Sequence, residues 1–403
     1  MTRWRFITLA CCLGVLAFPQ TTLSRTWYVE QDGSGQFTVI QDAVDVAASG
    51  DTIMIGPGHY TEYTVPITHR IYVNINYKGN LTFLGAGTTQ TIIGPVPNDN
   101  SSPYYHFGIV GEFGVNSVVI RDIQFWHLTS QLGSGAGISV TYAYLEVSNC
   151  SFIEGSNGII GHFPQGGFVE NCRFENGADG ILSFAPTNGM TVRNCEFIDF
   201  GQSLGFQGYP ATDCLVESCT FTGGHNGCQF NYAFNNILRD CYFENQSGAS
   251  IIVLDYCSIL LEDNIIEQYT ANDHVATGGL RIAGFFSQVS GQGNLIVSNR
   301  KCIGFDGFAD FDFHGNHFIR GSDDAWYVRV FEPFQSPEYH ADLTDNYWGT
   351  TDVNEISAWI YDGYDSDVIN LYVDFEPIAG GPVSVESYIY ESKTWGGVKV
   401  LYR

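Results

Sequence analysis

Between Leu145 and Phe243 one short pattern of apolar and polar positions recurs five times: an aliphatic residue, a spacer, a polar residue, cysteine, a spacer and phenylalanine. The copies are Val147-Ser-Asn-Cys150-Ser-Phe152, Val169-Glu-Asn-Cys172-Arg-Phe174, Val192-Arg-Asn-Cys195-Glu-Phe197, Val216-Glu-Ser-Cys219-Thr-Phe221 and Leu238-Arg-Asp-Cys241-Tyr-Phe243. Their cysteines fall 22, 23, 24 and 22 residues apart, and self-similarity at such a period predicts a solenoid. Each repeat carries a second short apolar run beginning near a glycine: Gly158-Ile, Gly180-Ile, Gly205-Phe, Gly227-Cys, Gly279-Leu and Gly304-Phe. Strands of four to six residues between tight turns fit one coil of about 22 residues.

No helical periodicity lies between the repeats, which excludes a doubly wound sheet with its crossover helices. A propeller blade would need a period of about 40 residues. The pattern therefore predicts an all-β fold, a single-stranded right-handed parallel β-helix. The register extends beyond the cysteines, with Asn264, Asn294, Asn316 and Asn346 downstream and Ile123 upstream. That makes about ten coils or more, stacked at ~4.8 Å. Asparagine in such a column can bond its own turn and the amide on the next coil. Cysteine there supplies a small, buried, mostly apolar group. Nine cysteines lie beyond residue 26, an odd number, and the spacing leaves both free thiols and neighbour disulfides open. A metal chain along the column is excluded for want of room for tetrahedral ligands.

At the ends the period changes. Ile40, Ala43, Val44 and Ala47 recur at helical spacing and predict a helix over roughly Val39 to Ala48. Thr351-Asp-Val-Asn-Glu-Ile-Ser-Ala-Trp-Ile-Tyr361 carries a cap and an acidic first turn, predicting a second helix over the other end. The opening Thr26-Trp-Tyr-Val-Glu-Gln-Asp-Gly-Ser-Gly-Gln-Phe-Thr-Val-Ile-Gln-Asp-Ala-Val-Asp, with Asn80-Leu-Thr-Phe-Leu-Gly-Ala-Gly, resembles the first coils of pectin methylesterases and pectate-lyase-like proteins. There a helix caps a right-handed parallel β-helix, and the resemblance implies the same here. The Asn-Tyr-Trp-Gly-Thr-Thr-Asp stretch ending in Val-Asp-Phe-Glu-Pro resembles the terminal coil of secreted bacterial β-helix repeat proteins. The active-site segments of pectin methylesterases and the motifs of polygalacturonases do not occur, so no residue role is carried over.

Charge narrows the partners. Seventeen Lys and Arg against 43 Asp and Glu give a net charge of −26, which disfavours nucleic acid and anionic membrane. Residues 1–26, with Arg3, Arg5, the apolar run Phe6 to Phe18 and Val15-Leu-Ala17, read as a secretory signal, so the expected location is extracellular or at the cell surface, with the periplasm also open. No later stretch is long and apolar enough for a membrane helix. The expected plan is a signal at 1–26, the capped solenoid at 27–378, and a linker with a short tail at 379–403, the tail either a packing strand or a docking signal.

Candidate chemistry lies on the outside of the second strands. Alternation from each glycine places His162, Phe184, Gln207, Tyr209, Gln229, Asn231, Arg281, Asp306 and Phe308 outward, with Asp255 and Tyr256 in the same column. Such a stripe suits the hydroxyls, rings and carboxylates of a polysaccharide or cell-surface glycan. Within it Asp255, Arg281 and Asp306 are the candidate catalytic set, a carboxylate acting as acid or base and Arg holding a uronate. Two acidic clusters are candidate calcium ligands: Asp306, Asp310 and Asp312, and Asp362, Asp365 and Asp367. The sequence thus points to a glycan-binding solenoid. A lyase, hydrolase or esterase acting on an acidic glycan such as pectin, and a structural surface or adhesin module, stand as alternatives.

Overall fold

The computed structural model describes residues 24–382 apart from 63–69, 77, 96–103, 111–116, 129–134, 164, 185, 209, 270–276 and 332–337. Every named strand pairs in parallel with the strand one coil away, as Val147 does with Val169 between Tyr144–Ser148 and Gly167–Glu170. Face one is a 14-stranded sheet running from Thr26–Val29 to Leu371–Asp374. Faces two and three belong to one 20-stranded sheet, because Ser151–His162, Arg173–Ser183 and Glu196–Phe206 run unbroken through both. The predicted parallel β-helix is the observed fold.

The polar residue before each ladder cysteine makes the corner between faces one and two. Asn149, Asn171, Asn194, Ser218, Asp240 and Asp263 all take φ of 51–53°. Asn and Asp visit this left-handed region more readily than other non-glycine residues, and Gly293 and Gly315 take the same place later. Behind the corner the ladder is buried: Ile123, the five cysteines and the four asparagines are each 2% exposed or less. All nine cysteines of the described residues are free thiols. In the asparagine half, Asn264 Nδ2 donates to Asn294 Oδ1 at 2.9 Å, Asn294 Nδ2 to Asn316 Oδ1 at 2.8 Å and Asn316 Nδ2 to Asn346 Oδ1 at 3.1 Å.

Two residues after the ladder comes a stack of aromatic rings. Phe125, Phe152, Phe174, Phe197, Phe221 and Phe243 lie with centroids 4.5–4.9 Å apart and planes within 10°. At two of these rings glycine stands opposite, where a side chain would collide: a Cβ on Gly158 would lie 2.6 Å from Phe174 Cδ1, and one on Gly180 2.7 Å from Phe197 Cδ1.

Gly205 and Gly304 do not share that role. Gly205 pairs with Leu182 and Gly304 with Arg281, so both sit two places later on the strand, and Ser203 and Cys302 occupy the true counterpart positions. The glycine-based alignment is therefore two residues out at those coils.

Helix α1, Ile40–Val46, buries Ile40, Ala43 and Val44 at the N-terminal end, within the predicted span. Helix α2, Val353–Ser357, is shorter than predicted and buries only Ile356. Asp352 caps it, accepting from Asn354 N at 3.0 Å. The chain then returns to the solenoid, Ile360–Tyr361 pairing with Val328 and Arg329. Of the expected signal at 1–26, residues 1–23 lie outside the described residues, as does the tail at 394–403.

Candidate functional site: face three and its aromatic ridge

Register divides the outward side chains of face three into two columns. Gln229, Ile252, Arg281 and Gly304, followed by Arg329, form one, in which Ile252 is buried and Gly304 has no side chain. Backbone bonds from each residue to the coil before it place Phe184, Gln207, Asn231, Leu254, Ala283, Asp306 and Phe331 in the other, and His162 pairs into it through Thr141. The predicted stripe is thus two columns wide. His162 lies edge-on to Tyr142 at 6.1 Å, and Gln207 Nε2 donates to Gln202 Oε1 at 3.1 Å. Tyr209 lies outside the described residues.

Arg281 and Asp306 meet, with Arg281 Nη2 2.6 Å from Asp306 Oδ2 and both side chains about one-fifth exposed. Asp306 Oδ1 and Asn231 Oδ1 are buried and accept no hydrogen bond among the described residues. Two acceptors in one column therefore lack donors of the kind that sugar hydroxyls provide. The surroundings are cationic. Lys301 is buried with Nζ 4.8 Å from the Phe331 ring, and Arg329 lies 5.0 Å from the same ring. Asp255 does not join the pair; it sits in the turn after the strand, where Oδ1 accepts from Phe285 N at 2.9 Å.

That turn holds the feature least expected from alternation. Tyr232, Tyr256 and Phe286, on successive coils, take φ of 52°, 52° and 61°. Bulky residues are outliers in this region, and holding one there costs on the order of 1–3 kcal/mol. Their rings stack on one another, 5.4 and 5.3 Å between centroids, while Tyr256 is 44% and Phe286 69% exposed. Phe285 is exposed beside them. Tyr256 therefore belongs to a ridge bordering face three and not to its strand columns. Phe308, expected outward, is buried because the turn folds it inward against Tyr339, 4.6 Å away.

Face two carries a second cluster that the sequence pattern did not single out. Glu244 pairs in register with Glu267, and Tyr242 Oη donates to Glu267 Oε2 at 2.7 Å. Burial and then the charge of Glu267 push the Glu244 carboxyl up, and burial, then the Glu267 bond, pushes the Tyr242 phenol up strongly. Burial also pushes the neighbouring Tyr269 phenol up to about 12. Strand spacing alone dictates that two residues 23 apart in a solenoid of this period become neighbours, and that signal was available.

The acidic clusters resolve differently from the expectation. Asp306 is on face three, whereas Asp310 and Asp312 point outward from face one, so the three do not form one site. Asp312 instead contacts His314 Nε2 at 2.6 Å. Asp362 is buried and structural, Oδ1 accepting from Tyr364 N and Oδ2 from Val373 N. Asp365 Oδ2 accepts from Asp362 N at 3.3 Å, while Asp367 is exposed. Among the described residues no three His, Cys, Asp or Glu side chains converge to hold a metal ion, which leaves neither predicted calcium cluster assembled. No helix among the described residues is long and apolar enough to cross a membrane.

A family model described as a right-handed beta helix region matches residues 113–204 and 182–329, more than half of the chain together. Among solved structures, the complex of XylC with xylose is similar at 10% identity, covering 89% of this chain and 84% of that one, with a TM-score of 0.51. The GH136 lacto-N-biosidase from Eubacterium ramulus is similar at 11% identity, covering 88% and 67%, with a TM-score of 0.52. Likeness at such identities speaks for the fold alone. No curated protein sequence matches the chain. Matched over more than half its length, with the coils, corners and ladders that such a match requires, the chain belongs to the right-handed β-helix family.

Proposed function

We propose that the protein is exported and binds polysaccharide along face three, with sugar rings stacked on the Tyr232–Tyr256–Phe286 ridge and their polar groups met by Gln229, Asn231, Arg281 and Asp306. The observation that carries this reading is the ridge itself. Three aromatics on successive coils are held in a costly backbone conformation, and two of them, Tyr256 and Phe286, are left facing solvent. Exposed, rigid aromatic area beside amides and a guanidinium suits the apolar faces and hydroxyls of sugars. Arg281 favours a glycan bearing carboxylates. That the similar structures include one with xylose and a lacto-N-biosidase agrees with a carbohydrate ligand. Calorimetric titration against acidic and neutral oligosaccharides, with and without calcium, tests the reading. Tyr256→Ala is expected to weaken the best ligand at least tenfold, about 1.4 kcal/mol; unchanged affinity in Tyr256→Ala and Arg281→Ala would sink the groove.

A second reading, a polysaccharide lyase or hydrolase, is favoured by the Glu244–Glu267 pair. One carboxyl raised toward protonation beside another in register is the arrangement that general acid and base catalysis uses. If the pair is catalytic, Glu244→Gln and Glu267→Gln each abolish product release while leaving ridge binding intact. Absence of any depolymerisation by the unaltered protein removes this reading.

A further inference from the structure

Face one carries an open groove of about 490 Å³ that the proposed function does not use. Its floor belongs to an outward column in which Leu215, Ile237 and Leu260 stand in register on three successive coils, each half-buried. A solvated sheet face carries polar side chains outward, so three aliphatics in a row there are surface for a partner to cover. Gln288 and Ser290 border the floor, and no Lys or Arg lines it. At the far end Asp312 is held by His314, which leaves Asp310, exposed, as the carboxylate of that rim.

We infer that the occupant is this chain's own segment 393–403, laid back along face one. That segment reads Lys393-Thr-Trp-Gly-Gly-Val-Lys-Val-Leu-Tyr-Arg403 and lies outside the described residues. Three of the chain's 17 basic residues fall in those eleven positions, with no acid among them. A groove without Lys or Arg and with a carboxylate at its rim complements that charge. In an extended chain Val398, Val400 and Tyr402 fall on one side, an apolar row to set on Leu215, Ile237 and Leu260. The stems of Lys399 and Arg403 then bend toward the rim. The chain is placed for this return. Leu371–Asp374 ends the sheet of face one and is five pairings from Asn236–Arg239, about 24 Å at ~4.8 Å per coil. Residues 383–392, extended, reach up to roughly 33 Å. Tethering holds the segment at an effective concentration on the order of millimolar, so a weak contact keeps the groove covered. The inference goes beyond the ridge reading, since no groove residue belongs to face three: with the groove filled, face one is closed to glycan and the ridge side stays open.

The experiment places a photoreactive benzophenone amino acid at Val400 of the full chain and identifies the cross-linked peptides by mass spectrometry after irradiation. Cross-links to residues 235–237 and 258–260 are expected, at a yield independent of protein concentration. Ser290→Arg, which fills the groove with like charge, is expected to lower that yield at least fivefold. Leu260→Lys, which breaks the apolar floor, is expected to do the same should Ser290→Arg fold poorly, and so is Lys399→Glu/Arg403→Glu on the segment itself. A chain of net charge −26 attracts a basic segment at large, and Thr82→Arg, near the other end of the same face, is the control expected to change nothing. Cross-links to another part of the chain overturn the inference, as does a yield that rises with protein concentration, which marks a second copy. No cross-link within the chain, equal loss in Thr82→Arg, or a yield undiminished by both groove variants overturns it too.

Discussion

At Asn294 a single carboxamide serves two neighbouring coils. Its Oδ1 accepts from Asn264 N at 3.1 Å and Nδ2 at 2.9 Å, and its Nδ2 donates to Leu261 O at 2.9 Å. Removing it strands several buried polar groups at once, each costing about 1–3 kcal/mol. Asn294→Ala is therefore expected to lower unfolding stability by roughly 3 kcal/mol or more, read as a fall in the urea midpoint. Cys195→Ala, in the same column, loses little more than a sulfur and weak thiol bonds, and about 1 kcal/mol is expected. The thiols themselves should be silent. All nine are buried, out of reach of a reagent in the folded chain, and burial pushes Cys257 up to about 11 and Cys214 up to about 12; a thiol reagent is therefore expected to label none of the nine until the chain is denatured. This column was legible because identical side chains recur at one period. The meaning of the residue before it was less so, since Asn149, Asp240 and Ser218 look like ordinary polar spacers until their shared positive φ is seen.

At the level of the strand and its turn, stability and proposed function pull apart. Tyr256→Gly relieves a left-handed backbone but removes the middle of the ridge, so thermal stability is expected to change by less than about 1 kcal/mol while glycan affinity falls at least tenfold. A drop in stability matching the drop in affinity would show that the ring serves packing. The late strands of face one carry a pH response. His340 is raised above the ordinary imidazole value by its bonds to Glu338 and Asp374. In His314 partial burial opposes the shift, but the bond to Thr344 O and the charges of Asp342 and Asp312 outweigh it. A raised folded pKa means a contribution fully present below the unfolded value, near 6.5, and lost as pH rises through the folded one. Both side chains are 40% exposed or more, so the effect is small. The midpoint difference between the unaltered protein and His314→Gln is expected to shrink from pH 5.5 to pH 8; a difference that widens contradicts the assignment. Outward residues were the hardest to read from sequence. Alternation found Arg281 and Asp306, but misplaced Phe308 because the chain leaves the strand after Asp306 and the period of two ends there.

For the molecule as a whole, a net charge of −26 over stacked parallel coils makes self-repulsion the global opponent of folding. Added neutral salt is expected to raise the thermal midpoint, most steeply below about 0.1 M, where screening changes fastest; a flat response would mean that local pairs such as Arg193–Glu170 already balance the charge. Fold class was legible at this scale because a solenoid writes its period into the sequence many times over. The coils with longer steps, such as Asn264 to Asn294, blurred only the register. The left-handed corner, Asn or Asp at most coils and Ser218, Gly293 or Gly315 at others, has the Phe stack behind it along the regular coils. Since the regular coils from Cys150 to Cys241 close in the same way, the solenoid is a graduated scale, and an aromatic at the matching turn adds one mark. Splicing in another 22-residue unit that carries Tyr at the Tyr256 position would lengthen the ridge by one sugar-sized interval, so the length of ligand it measures becomes a number of coils and not a shape to be redesigned.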